Sequence, residues 1–463
     1  MKIKYLLAAA ALMAASAAQA DAPRYIFYFI GDGMGLNPVM TAQTYNRLVL
    51  QNDKPLTMMQ MPVASWCQTW SVSSPVTDSA AAGTALSTGT KTKNGMLGMG
   101  PDTTSVTSLA AQLYDRGYGI GIITSVCPDD ATPGAFYAHV ANRSQYYDIG
   151  IQAARSGYHF LGGSSWRGTK DKEGNPTDLE AVMTQNGYQT VYGPEGIDKI
   201  NSEKVVLLNT PGAGNNDNNI GYTIDSLPGA LTLPVITRAC LDHLTARHPD
   251  KFFMMVEGGN IDHALHGNDG GTAIIEILNF QQALALAYDF YLQHPDETLI
   301  LVTADHDTGG SAMVSSSQGG APRLEYFKYQ KVSKEAFSNY CKGILRSRMI
   351  YKWEDMEQYL RENLGFFDHV PVSDAEKAEL QKLFNDTFEL RNSADEKTLY
   401  ANFNAFAVRV FKLLNDAAGV RFNTGSHAGG PVPVFAVGAG SEAFMNVNNN
   451  CCLARKLRKI AEL

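Results

Sequence analysis

The sequence predicts an α/β protein built on one large, mostly parallel sheet with helices on both faces. Three observations lead there. Apolar runs of strand length recur at 25–30, 119–124, 205–208, 252–256, 299–303 and 434–437. Helical patterns separate them, and that alternation is the mark of a parallel sheet wrapped by helices. Acidic groups also follow four of the runs directly: Asp32 the first, Asp130 the second, Glu257 the fourth and Asp305 the fifth. Ligands of open α/β sheets bind beyond the carboxyl ends of the strands, so one edge collects these side chains.

Ahead of the first run, residues 1–20 read as a secretory signal. Lys2 and Lys4 precede an apolar stretch from Tyr5 to Ala17, and Ala18-Gln19-Ala20 forms the cleavage site. The stretch is too short to span a bilayer, no other is long and apolar enough, and position 21 offers no cysteine for a lipid anchor. Residues 21–463 are then expected as one catalytic domain, periplasmic or secreted. The net charge of −8 comes without a basic cluster, which leaves no footprint for nucleic acid. Six cysteines in an exported chain imply disulfides of unreadable connectivity, and the lack of any C-x-x-C argues against a thiolate zinc site.

The first run ends in Gly31-Asp32-Gly33-Met34-Gly35. A full G-x-G-x-x-G is absent, so Asp32 reads as a carboxylate that must come close to a cation. Next, Asp78-Ser79-Ala80-Ala81-Ala82-Gly83 sets a hydroxyl at the start of a helix of very small residues. Free N–H groups and the positive end of the helix dipole suit a phosphate there, though the stretch alone reads equally as a serine-capped core helix. After the second run, Asp130-Ala131-Thr132-Pro133 and Arg143 supply a carboxylate, a hydroxyl and a guanidinium fit for bidentate phosphate contact. Alone, these are a turn and a solvated arginine.

The fourth run leads into Glu257-Gly258-Gly259-Asn260-Ile261-Asp262-His263-Ala264-Leu265-His266. Asp262 and His266 are four apart and share a helix face, a spacing that suits two ligands on one metal. Asp305-His306 closes the fifth run, and His427 sits among Gly425, Gly429 and Gly430 just before the sixth. Each histidine alone reads as a buried, satisfied ring. Together the carboxylates and imidazoles suffice for two zinc ions without thiolates, with positions left open for substrate.

Between 311 and 424 the texture turns helical, and a helix-rich insertion is expected at about 315–420. Ser373 with Glu376 and Ser393 with Glu396 form capping-box patterns, and 353–364 reads as an amphipathic helix ending at Gly365. The polar loop 215–219 suggests no chemistry.

In order, and across nearly the whole chain after residue 20, these motifs resemble those of the alkaline phosphatase family. The resemblance implies a three-layer α/β sandwich that hydrolyses small phosphate monoesters to inorganic phosphate through a phosphoserine, commonly as a homodimer. It implies Ser79 as nucleophile and Arg143 as phosphate clamp. Asp262, His266 and His427 match the ligands of one zinc, and Asp32, Asp305 and His306 those of a second. Thr132 and Glu257, with Asp32 shared, match a third site, usually magnesium, whose waters Asp130 would hold. His263 departs from the pattern, since many bacterial members carry a lysine there.

Competing readings are weaker. Sulfatases of the same superfamily need a Cys/Ser-x-Pro-x-Arg setting, which 79–83 is not. Phosphodiester hydrolysis remains open as a side activity. A non-catalytic phosphate or metal binder has no need of Ser79. A cysteine phosphatase is suggested only by Cys452 and Arg458, in a glycine-free helical segment.

Overall fold

The computed structural model describes residues 22–463 except 215, 217, 316–319 and 348–349; the export signal read at 1–20 lies outside the described residues. Nine strands form the central sheet: β1 (Tyr25–Ile30), β2 (Val63–Cys67), β3 (Gly119–Thr124), β4 (Phe160–Gly163), β5 (Tyr188–Tyr192), β6 (Lys204–Leu208), β7 (Phe252–Glu257), β8 (Thr298–Thr303) and β9 (Val432–Gly438). Their spatial order is β2-β9-β8-β1-β7-β3-β4-β6-β5. All strands from β8 to β5 run parallel, while β9 lies antiparallel to both β8 and β2.

β1, β3, β7 and β8 are buried at every position, which requires cover on both faces and explains their unbroken apolar sequences. Helix Leu233–Arg247 packs on β3, β4 and β7, and the long helix Gly270–Gln293 packs on β8. Ile30 stands level with Glu257 and Thr303, and Thr124 with Glu257. Four strands therefore finish flush, and the segments leaving them emerge together. Because β9 is antiparallel, the loop that enters it starts at this same edge, with Val434 opposite Thr303.

All six expected strands form. The three others carry weaker signals: β2 and β5 are edge strands with part-exposed polar residues, and β4 is a four-residue Phe-Leu-Gly-Gly.

Between Ala312–Met313 and Val420–Arg421, which pair with each other, lie helices Lys334–Ser347, Trp353–Leu364, Asp374–Phe384 and Ala405–Ala418. Ser373 and Glu376 form a reciprocal capping box, and Gly365 ends the Trp353 helix at φ 68°. The second expected box does not form. Asp395–Lys397 is instead one strand of a hairpin with Asn402–Asn404, and the next helix starts at Ala405 under the side chain of Asn404. The Ser393 hydroxyl accepts from Asn404 Nδ2 at 2.9 Å, tying the hairpin together rather than capping a helix.

The expected disulfides are also absent: all six cysteines are free thiols, and all but Cys452 are buried. They pack as small apolar groups. Burial pushes the Cys67 thiol up to about 12 and the Cys127 thiol up to about 11. Among the described residues no helix is long and apolar enough to cross a membrane.

Candidate active site

Ser79 opens the helix Ser79–Thr88, which is buried along its whole length. The cap is Asp78, not the serine: its carboxylate accepts from Ala81 N at 3.0 Å. This leaves the Ser79 Oγ free to face the site, 3.2 Å from His306 Nε2. Gly83 lets the helix close on its neighbour, since a Cβ there would stand 3.1 Å from Ala135 Cβ and 3.3 Å from Thr132 Cα.

Two groups of side chains hold their donor atoms within 4.8 Å of one another: Asp262, His266 and His427, and Asp32, Asp305 and His306. In most of these residues one atom is committed to the fold and another is free. Asp305 Oδ1 accepts from the amides of Gly33 at 3.1 Å and His306 at 2.8 Å, while its Oδ2 has no hydrogen-bond partner. Asp262 Oδ1 accepts from the Thr308 hydroxyl, and its Oδ2 is left over. His266 Nδ1 meets the Gly425 carbonyl at 2.7 Å and His427 Nδ1 the Thr77 carbonyl at 3.1 Å, so in both rings Nε2 is left without a hydrogen bond, that of His266 standing 3.3 Å from Asp262 Oδ2. Such carbonyl contacts place the proton on Nδ1 and the lone pair on Nε2, the tautomer a metal ligand needs.

Buried polar atoms are normally satisfied, so free atoms on Asp32, Asp262, Asp305, His266 and His427, gathered in one place, call for a cation. Charge makes the same demand. Burial, then Asp305, Asp262 and Glu257, push the Asp32 carboxyl well above its ordinary range. Burial drives Glu257 up to about 8 and Asp305 up to about 7. The residues present fit divalent metals bound by oxygen and nitrogen.

Beside these groups, Glu257 accepts from the Thr124 hydroxyl, and the buried Thr132 Oγ1 has no partner. Asp130 bridges two arginines, Arg143 at 3.0 Å and Arg167 at 3.2 Å, and Arg143 also stands 3.6 Å from Asp78. Burial opposes the Asp130 charge, but Arg167 and Arg143 hold its carboxyl down to about 2. Arg143 is thus a part-buried, paired residue rather than a solvated one.

His263 does not supply the charge a lysine would. Burial pushes its ring down to about 4, and it packs against Tyr400 with centroids 3.8 Å apart and the rings tilted by 31°. Tyr400 also meets His266 edge-on at 5.2 Å. Sequence reasoning missed Tyr400, Arg167, Thr308 and the pairing of Asp78. Only Asp78 carried a signal, as an aspartate directly before a helix of small residues.

A third group, His159, Glu203 and His248, lies at the opposite edge of the sheet and has different chemistry. Ile120 N–H donates to His159 Nδ1 at 2.9 Å, which puts the neutral ring's proton on Nε2, and His248 pairs with Glu203 at 3.0 Å.

Fold and site together define an α/β enzyme with a serine beside two candidate metal groups. The family model described as alkaline phosphatase matches residues 24–162 and 159–463, and the chain belongs to that family. It is a phosphomonoesterase. Alkaline phosphatase 4 of Bacillus subtilis is 26% identical over 453 residues, covering 94% of this chain and 88% of the relative. Streptomycin-6-phosphate phosphatase of Streptomyces griseus is 29% identical over 383 residues, covering 69% and 84%. The crystal structure of Thermus thermophilus alkaline phosphatase shares the fold with a TM-score of 0.77 at 24% identity, covering 96% of this chain and 92% of that one.

Proposed function

We propose that the chain hydrolyses small phosphate monoesters through a phosphoserine on Ser79, with two zinc ions and one magnesium ion as its metals. One observation carries this reading. Ser79 Oγ, Asp305 Oδ2 and Asp32 Oδ1 all converge on His306 Nε2, at 3.2, 3.2 and 3.5 Å. In a Ser-His-Asp triad the acid would orient the ring from the nitrogen opposite the serine. Here that nitrogen, Nδ1, faces the Thr308 hydroxyl at 3.2 Å. Three oxygens crowding one ring nitrogen fit a shared cation, with Ser79 as its neighbour.

Asp262, His266 and His427 would hold one zinc, Asp32, Asp305 and His306 the other, and Asp32, Thr132 and Glu257 the magnesium. When bound, these ions lower the cost of charge on the attacking and leaving oxygens. The chain's own groups do the rest. Ser79 Oγ forms the bond to phosphorus as the ester oxygen leaves, and water then releases inorganic phosphate. Arg143 and the first N–H groups of the Ser79 helix hold the non-bridging oxygens. Asp130 and Asp78 fix where Arg143 points. Small phosphorylated metabolites suit this site, as with the relative named for streptomycin 6-phosphate. The signal at 1–20 directs the enzyme to the periplasm or outside the cell, where it works as a homodimer.

Purified protein should hydrolyse a chromogenic phosphomonoester, lose that activity to a chelator and regain it with zinc plus magnesium. Ser79→Ala should lower turnover on the order of 10³-fold or more. Rapid quench with labelled ester should trap phosphoenzyme in the native protein only. A native level of phosphoenzyme in the variant would remove Ser79 from the role.

A further inference from the structure

Tyr400 occupies the tip of the hairpin formed by Asp395–Lys397 and Asn402–Asn404, in a turn closed by Thr398 N donating to Ala401 O at 2.8 Å. The hairpin is fastened to what lies beneath it. Asn404 N donates to Ser338 Oγ at 2.8 Å, and Lys342 pairs with Asp395 at 3.4 Å. Lys334 Nζ lies 4.6 Å over the ring of Phe403 and donates to the Gly267 carbonyl at 2.8 Å. Gly267 directly follows the helix Gly259–His266, so the hairpin is locked to the helix that carries Asp262, His263 and His266.

That lock sets the Tyr400 ring in contact with the site. It packs against His263 with centroids 3.8 Å apart and the rings tilted by 31°, and meets His266 edge-on at 5.2 Å, a pair of aromatic contacts that fixes its plane. The hydroxyl makes no hydrogen bond to any described residue. The ring therefore lies beside the helix that carries Asp262 and His266, and Arg143, Asp262, Asp130 and Asp32 are near enough to act electrostatically on the phenol. A phenol there has one donor to give and, among the described residues, no acceptor that takes it.

We propose that Tyr400 is a substrate-binding residue whose hydroxyl donates a hydrogen bond to the phosphoryl group held by Arg143. This rests on the phosphomonoesterase site described above, and it gives the helical segment between residues 313 and 420 a direct part in substrate recognition. It also accounts for His263, whose ring packs against the phenol and holds it in place.

The test uses the full chain loaded with zinc and magnesium, and inorganic phosphate as the probe. Phosphate affinity is read by calorimetry and, separately, by competitive inhibition of chromogenic ester turnover. Tyr400→Phe keeps the ring packed on His263 and deletes only the donor. It should weaken phosphate about tenfold, as expected for one hydrogen bond to a charged group, with zinc content and thermal midpoint unchanged. Tyr400→Ala should weaken phosphate at least as much. Affinity within twofold of the native protein in the Phe variant overturns the proposal. So does a weakened affinity that follows loss of zinc, which would make Tyr400 a support for His266 only. Should the native protein bind phosphate but fail to turn over ester, the enzymatic reading falls while the calorimetric comparison of native and Phe variant still decides Tyr400.

Discussion

Most candidate ligand residues in this site divide their polar atoms between fold and function, and the glycines between them set how close they come. Gly33, at φ 67°, is the sharpest case, because a Cβ there would lie 2.6 Å from Asp262 Oδ1 and 2.9 Å from Thr308 Oγ1. Gly33→Ala should therefore displace Asp262 and its partner Thr308. Zinc stoichiometry should drop by one ion, and stability should fall by about 1–3 kcal/mol from the strained backbone alone. Full zinc content and native stability would show that the loop relaxes freely. Asp130 gives a pH prediction. Its folded carboxyl is held down to about 2 by Arg167 and Arg143 against burial, while an unfolded aspartate titrates near ~3.9. The folded pKa is the lower, so the stabilisation is present above ~3.9 and lost as pH falls through about 2. Asp130→Asn should flatten the acid limb of stability between about pH 4 and 2 in denaturant titrations, and an equally steep limb in the variant would contradict it.

The residues that the sequence revealed are those that sit in motifs: a carboxylate between glycines, an Asp and His four apart, a serine before alanines. Arg167 and Tyr400 were invisible because their partners lie far along the chain. Arg167 meets Asp130 from the loop after β4, and Tyr400 meets His263 from a turn. Neither has a local spacing that marks it, and only the folded topology brings them in.

Among elements, legibility follows burial. Strands covered on both faces wrote unbroken apolar runs, whereas the edge strands β2 and β5 mix polar and apolar residues as half-exposed strands do. Caps were less decisive. Ser373 and Ser393 carry the same S-x-x-E pattern, yet only Ser373 begins a helix, since Ser393 instead receives the Asn404 side chain. Ser373→Ala should cost about 1 kcal/mol of stability by removing that cap. Zinc content and ester turnover should stay native, because no candidate ligand lies on this helix. A loss of metal in a folded Ser373→Ala protein would mean that the helix supports the centre directly.

For the whole molecule, the metals would act as folding ligands. A metal that binds only the folded state at a thousand times its Kd adds about 4 kcal/mol to stability. Removing zinc and magnesium should lower the thermal midpoint, and restoring them should raise it in proportion to the logarithm of free metal. A midpoint indifferent to chelation would mean that the orphaned carboxylates and imidazoles are satisfied some other way. The sheet explains why so much of this centre was readable: strands that finish flush deliver their next residues to one edge, so the order of motifs along the chain maps directly onto one place in space.

That same flush edge dictates when the centre comes into being. Its candidate ligands run from Asp32 to His427, and His427 enters through the loop before β9, the last strand of the sheet. A chain emerging from its amino terminus exposes Asp32 and Ser79 long before that loop exists. Contacts of such long sequence separation are closed late, after the loop entropy has already been spent. Metal capture is then the closing event of maturation: its rate should rise with free zinc, while the rate at which the sheet assembles should not.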